Sequence, residues 1–127
     1  MTRPAFPSTA LRLQTAVLML ACASFAAAAA PKDIPAFAGG DYHKYWMDVC
    51  SRCHGANGNG RDNSGAQLPD AGFDFTDSRK ANRKKDNDWV KTTLEGKDKM
   101  PAFKGKMTEE QVRKMIADIL RPFAAKG

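Results

Sequence analysis

Beyond its first thirty residues, this 127-residue chain has no apolar run long enough to cross a bilayer, which excludes a multi-span membrane protein. Cysteine is scarce: three residues are too few for a dense disulfide scaffold. Histidine is scarcer still, with two residues, so chemistry that needs an imidazole must use His43 or His54. No stretch alternates apolar and polar residues with the period of a strand, and no segment repeats. Acids are outnumbered 14 to 20 by Lys and Arg, for a formal charge of +6. The length leaves room for one domain and no two-domain enzyme.

What is present begins with an address. Arg3 and Arg12 are the only charges before Lys32, and residues 16–30 read AVLMLACASFAAAAA. A positive start, an apolar run and small residues ending at Ala28-x-Ala30 make residues 1–30 a predicted secretory signal. The run is shorter than the roughly 20 residues of a spanning helix, which disfavours an uncleaved anchor. Lipid attachment at Cys22 is the other alternative, and Met19-Leu20 fits a lipoprotein box poorly. Cleavage after residue 30 leaves 97 residues, and losing two arginines lowers the charge to +4. A domain that small has a thin core and needs a staple or a cofactor. Export to the periplasm permits both.

Residues 31–40 form a Pro/Gly/Ala lead-in, and 41–127 the predicted domain. Asp41 should cap a helix running toward Cys50, broken by Gly55 to Gly60. Residues 61–77 read as a long loop, and loops of that length usually wrap something. Residues 79–85, RKANRKK, are a basic run. Asp86 to Asp88 should cap a second helix, Trp89 to Glu95, closed by Gly96. Thr108 and Gln111 make a capping box for the last helix. Its Val112, Met115, Ile116, Ile119, Leu120 and Phe123 form one apolar stripe. The fold class is all-α.

Cys50-Ser51-Arg52-Cys53-His54 is a C-x-x-C-H sequence, the attachment signal for c-type haem. Two thiols three positions apart at a helix end share roughly one face, and can add to two vinyl groups on one haem edge. The next residue's imidazole then lies beneath the iron. Three other readings compete. A Cys50–Cys53 disulfide would close a very small loop and stabilise little. Zinc would want four ligands, usually from a second cysteine pair that is missing. A thioredoxin-like redox pair would need a βαβ setting. The glycines of residues 55–60 lack the Gly-Lys-Ser/Thr of a phosphate loop, and instead let the backbone turn close to a porphyrin.

Over nearly all of residues 31–127 the chain resembles the class I c-type cytochromes, small single-haem electron carriers. The resemblance rests on Cys50-x-x-Cys53-His54-Gly55, Gly58, Gly60, Asp74-Phe75-Thr76-Asp77, Met100-Pro101-Ala102-Phe103 and the terminal amphipathic helix. It implies a cytochrome c-like fold of three or more short helices around one covalent haem c. Cys50 and Cys53 would be the thioether residues, His54 the proximal iron ligand and Met100 the distal one. The first and last helices would cross, bringing Tyr45, Trp46 and Val49 to Ile116, Ile119 and Leu120. A thioether is a soft neutral donor, and a His/Met pair raises the haem potential. Pro101 stiffens the segment by keeping Met100 out of the helical region. Met107 is the weaker competitor, and His43 reads as a surface or packing residue. Family members often hold the proximal histidine through a proline carbonyl about nine residues on. Asn63 stands there in this chain, with Pro69 beyond it, so the carbonyl partner is open.

Lys97, Lys99, Lys104 and Lys106 surround Met100. Positive charge there would steer docking to a redox partner with an acidic surface, in a weak and salt-dependent complex. Nucleic acid is a poor partner for an exported chain with this motif. With both axial positions filled, the protein would carry electrons and catalyse no bond chemistry, as a shuttle or as a subunit of a redox complex. The alternative is a gas-sensing or peroxidase-like haem protein with an open sixth position.

Overall fold

The computed structural model describes residues 33–127; the expected signal segment 1–30 and Cys22 lie outside the described residues. Four helices are present and no strand among the described residues, only three isolated bridges.

Helix α1 covers residues 42–54. Asp41 caps it as expected, its carboxylate accepting the Lys44 N–H at 2.9 Å. Its middle, Trp46–Cys50, widens into a π turn in which the Ser51 N–H reaches back to the Trp46 carbonyl. The Ser51 hydroxyl donates to the Met47 carbonyl at 2.6 Å, satisfying an acceptor within the widened turn. Gly55, at φ 76°, ends the helix.

Helix α2, Ser78–Ala81, lies inside the basic run and is capped by Asp77. A four-residue helix has too little periodicity to read from sequence. Helix α3, Asp86–Glu95, starts as Asp88 accepts the Lys85 N–H and stops at Gly96, φ 77°. Helix α4 covers residues 109–126 and opens with the expected box. The Thr108 hydroxyl accepts from Gln111 at 3.2 Å, and the Gln111 side chain accepts from Thr108 at 2.8 Å. It too contains a π turn, Ile116–Leu120. Pro122 follows, with no N–H to give and a ring that crowds a regular turn.

Helix α1 packs against the π turn of α4. Trp46 and Ile116, which open the two π turns, are with Val112 the largest fully buried side chains. Trp46 and Phe123 meet at 5.3 Å between ring centroids. Helix α3 lies on the first half of α4 and α2 on its last. The lead-in is tied down as well: Ile34 and Phe37 are buried in the same core. Phe37 donates its N–H to Lys106 at 2.8 Å, and the Tyr45 hydroxyl donates to Pro35 at 2.7 Å.

Candidate functional site

Cys50, Cys53 and His54 occupy the last two turns of α1, which the π turn and the Gly55 stop bring to the edge of the core. Both cysteines are free thiols, half-buried. Burial, and then the neighbouring Cys53, push the Cys50 thiol up to about 12. The Cys53 thiol is raised as well, by burial first and then by the Asp70 charge, against Arg52 and Lys99.

His54 is the buried polar side chain of the core, 9% exposed. Its Nδ1 lies 3.1 Å from the Phe73 carbonyl, which can only accept, so Nδ1 carries the proton. The Nε2 lone pair is then free, with no hydrogen-bond partner among the described residues. Burial lowers the pKa of the ring, partly opposed by the Phe73 carbonyl, and keeps it neutral, the form that ligates. Phe75 and Trp46 flank it at 5.0 and 5.9 Å between centroids.

Two residues hold this ring from one segment. Gly72 donates its N–H to the Cys53 carbonyl at 2.8 Å, and its α-carbon rests on the imidazole. A Cβ at Gly72 would fall 2.6 Å from Nδ1 and closer still to Cε1. Phe73 then supplies the acceptor. Asn63 and Pro69 are exposed, and the carbonyl partner that the sequence leaves open is Phe73, nineteen residues after His54. The loop 61–77 does wrap something: the histidine. Gly72 went unread because no turn or helix end marks it; its place between Asp70 and two phenylalanines was the available signal.

Gly55 packs against the Arg61 backbone, Gly58 against the Phe123 ring, and Gly60 against Ala71 and Gly72. They close the loop on itself and on α4.

Met100 sits at the tip of a strap folded back over the end of α3. Lys97 and Met100 exchange backbone hydrogen bonds at 3.0 and 2.8 Å around Asp98, which has φ 52°. Phe103 and Lys104 donate their N–H groups to the Thr93 and Leu94 carbonyls, both at 3.0 Å. A Cβ on Gly96 would collide with the Met100 carbonyl, so the return needs glycine there. Met100 is half-buried against the core. Lys99 meets Asp70 at 2.6 Å, and both charges act on the Cys53 thiol, so the strap tip lies beside the attachment motif. Met107 and Met115 are core residues at 6% exposure, and His43 is exposed on α1.

Two thiols, one neutral imidazole with a free Nε2 and a half-buried thioether are the donors that an iron porphyrin takes. Among the described residues no three His, Cys, Asp or Glu side chains gather as a site for a bare metal ion.

A family model, cytochrome C oxidase, cbb3-type, subunit III, matches residues 38–117. The chain belongs to this family of c-type cytochromes. Its cofactor is covalently bound haem c, and its fold is the all-α cytochrome c-like one. A solved structure described as KustC0563 c-type cytochrome is similar at 28% identity and a TM-score of 0.52. The similarity covers 66% of this chain and 98% of that one. No curated protein matches the chain. Cytochromes of this family typically carry electrons and are typically exported. No helix among the described residues is long and apolar enough to cross a membrane.

Proposed function

We propose that this cytochrome is a periplasmic one-electron carrier, exported by residues 1–30 and folded as one domain over 41–127, with 31–40 as its lead-in. Cys50 and Cys53 would hold the haem through thioethers, and His54, through Nε2, and Met100, through its sulfur, would ligate the iron. The observation that carries this is the His54 ring, buried, neutral and fixed at Nδ1 by the Phe73 carbonyl, one residue from a half-buried thiol. When bound, the haem iron supplies a reversible one-electron couple.

The residues around it set the terms. The Phe73 carbonyl fixes the tautomer of His54 and strengthens it as a donor. Phe75 and Trp46 keep water from the ring, which limits reorganisation around a changing charge. Met100, soft and neutral, favours the reduced state. Lys97, Lys104 and Lys106 are exposed without a carboxylate partner among the described residues and flank the strap. They would guide an acidic partner to this edge. Both roles, free shuttle and subunit of a redox complex, use the same edge.

Optical spectra of oxidised and reduced holoprotein, with and without carbon monoxide, test the reading. Met100→Ala should abolish the signature of sulfur ligation, lower the potential and open the reduced iron to carbon monoxide. A parent protein that binds carbon monoxide readily, or a Met100→Ala spectrum identical to it, would overturn the assignment of Met100 and favour a ligand-binding haem.

A further inference from the structure

Several exposed cations of this cytochrome sit beside carboxylates: Lys44 with Asp48, Lys91 with Glu95, Lys114 with Asp118. In the turn 79–85 all five cations are exposed, and among the described residues only Lys80 has a carboxylate partner, Asp77. Such a turn repels itself, yet it is held rigidly by a sixth cation. Arg121, on α4, lies 4.2 Å over the Trp89 ring and bonds Asp86. It donates to the Ala81 and Lys84 carbonyls at 3.4 and 2.9 Å. Two carbonyls of the segment thus point inward to Arg121, the Arg83 guanidinium folds back onto the Arg79 carbonyl, and Arg79, Lys84 and Lys85 are exposed.

The place of the turn separates it from the lysines at Met100. It precedes the N-terminus of α3, whereas the strap follows the C-terminus, about 15 Å of helix away. It is thus a poor point for passing electrons. No large apolar side chain is exposed on it, so whatever it attracts is attracted by charge. A rigid cluster of cations without an apolar anchor matches a diffuse layer of negative charge.

We propose that the turn 79–85 is a docking surface for the anionic headgroups of a membrane, holding the cytochrome at the lipid surface while the Met100 edge stays open to redox partners. The exported reading says only which membrane is met; the binding measurement stands without it, so the two can fail separately.

The test is sedimentation of holoprotein with vesicles of phosphatidylcholine alone or mixed with phosphatidylglycerol. Binding should require phosphatidylglycerol, fall with salt and resist millimolar inorganic phosphate. The triple variant Arg79→Gln, Lys84→Gln, Lys85→Gln removes side chains that make no side-chain hydrogen bond in the fold. It should weaken vesicle binding on the order of a hundredfold. The triple Lys97→Gln, Lys104→Gln, Lys106→Gln should change it less than threefold. Unaltered visible spectra identify intact holoprotein; if the turn triple does not accumulate, Lys84→Glu serves in its place. Equal losses from both triples would reduce the effect to net charge and overturn the proposal. So would absence of binding to the mixed vesicles. A turn variant that keeps vesicle binding but slows reduction by an acidic redox protein would likewise overturn it, assigning the surface to a protein.

Discussion

Around His54 the chain works with side chains and with the lack of one; around Met100 it works mainly with backbone. The imidazole is held on one edge by a carbonyl, on one face by a bare α-carbon, and by two aromatic rings. Each of these contacts is buried, and each constrains the others. The methionine turn is held by exchanged amides, by two further N–H groups donated to the end of α3, and by one exposed ion pair. Exposed ion pairs contribute little, and backbone hydrogen bonds near solvent open locally. One side of the site is therefore over-determined, and the other is free to give.

The largest expected effect breaks the firm side. Gly72 has an ordinary backbone conformation, so Gly72→Ala tests contact with the imidazole and nothing else. The added methyl should cost about 1–3 kcal/mol of holoprotein stability by overpacking. It should also shift the reduction potential, because the Nδ1–H bond to Phe73 is displaced. A potential equal to the parent, with only the melting temperature lowered, would make Gly72 a packing residue and no positioning residue.

A smaller effect is expected on the compliant side. Gly96→Ala places a methyl against the Met100 carbonyl at a φ that L-residues rarely adopt. About 1 kcal/mol or more of stability should be lost. The sulfur signature should weaken while the proximal nitrogen resonances stay in place. Equal disturbance of both ligands would erase the contrast between the two sides.

The smallest effect concerns acid. Asp62 and Asp77 bracket the loop that holds His54. The Ser64 hydroxyl holds the Asp62 carboxyl below 3.8, and the Lys80 backbone N–H does the same for Asp77. Carboxyls with depressed folded-state pKa values bind fewer protons than they do in the unfolded chain. They stabilise above pH 3.8, and the contribution is lost as pH falls below it. Both are surface groups, so the slope is shallow. The pair Asp62→Asn, Asp77→Asn should slightly flatten the fall of the urea midpoint between about pH 5 and 3. A curve parallel to the parent's would remove the loop from the acid response.

Helices with caps and stripes are legible in the sequence: Asp41, Gly96 and the Thr108–Gln111 box mark α1, α3 and α4 because capping is local chemistry. The attachment motif was readable for the same reason, since its residues are neighbours in sequence. What escaped depends on distance along the chain. The Phe73 carbonyl belongs to the backbone and leaves no trace in residue type. Gly72 matters only because a ring from α1 comes to rest on it. Ile34 and Phe37 have no period, and are buried because Lys106 and Pro35 receive their neighbourhood's hydrogen bonds. The π turns are invisible as pattern, although Pro122 was a signal for the second.

The pairing of α1 with α4 has a consequence for the order of assembly. The helix bearing both thiols finds its tertiary support at the opposite end of the chain, and a 13-residue helix is marginal by itself. As the polypeptide is made, Trp46 has no Phe123 to meet until α4 has followed. Cys50 and Cys53 thus spend that interval on an unclosed segment, accessible to whatever machinery must reach them, and α4 shuts the door.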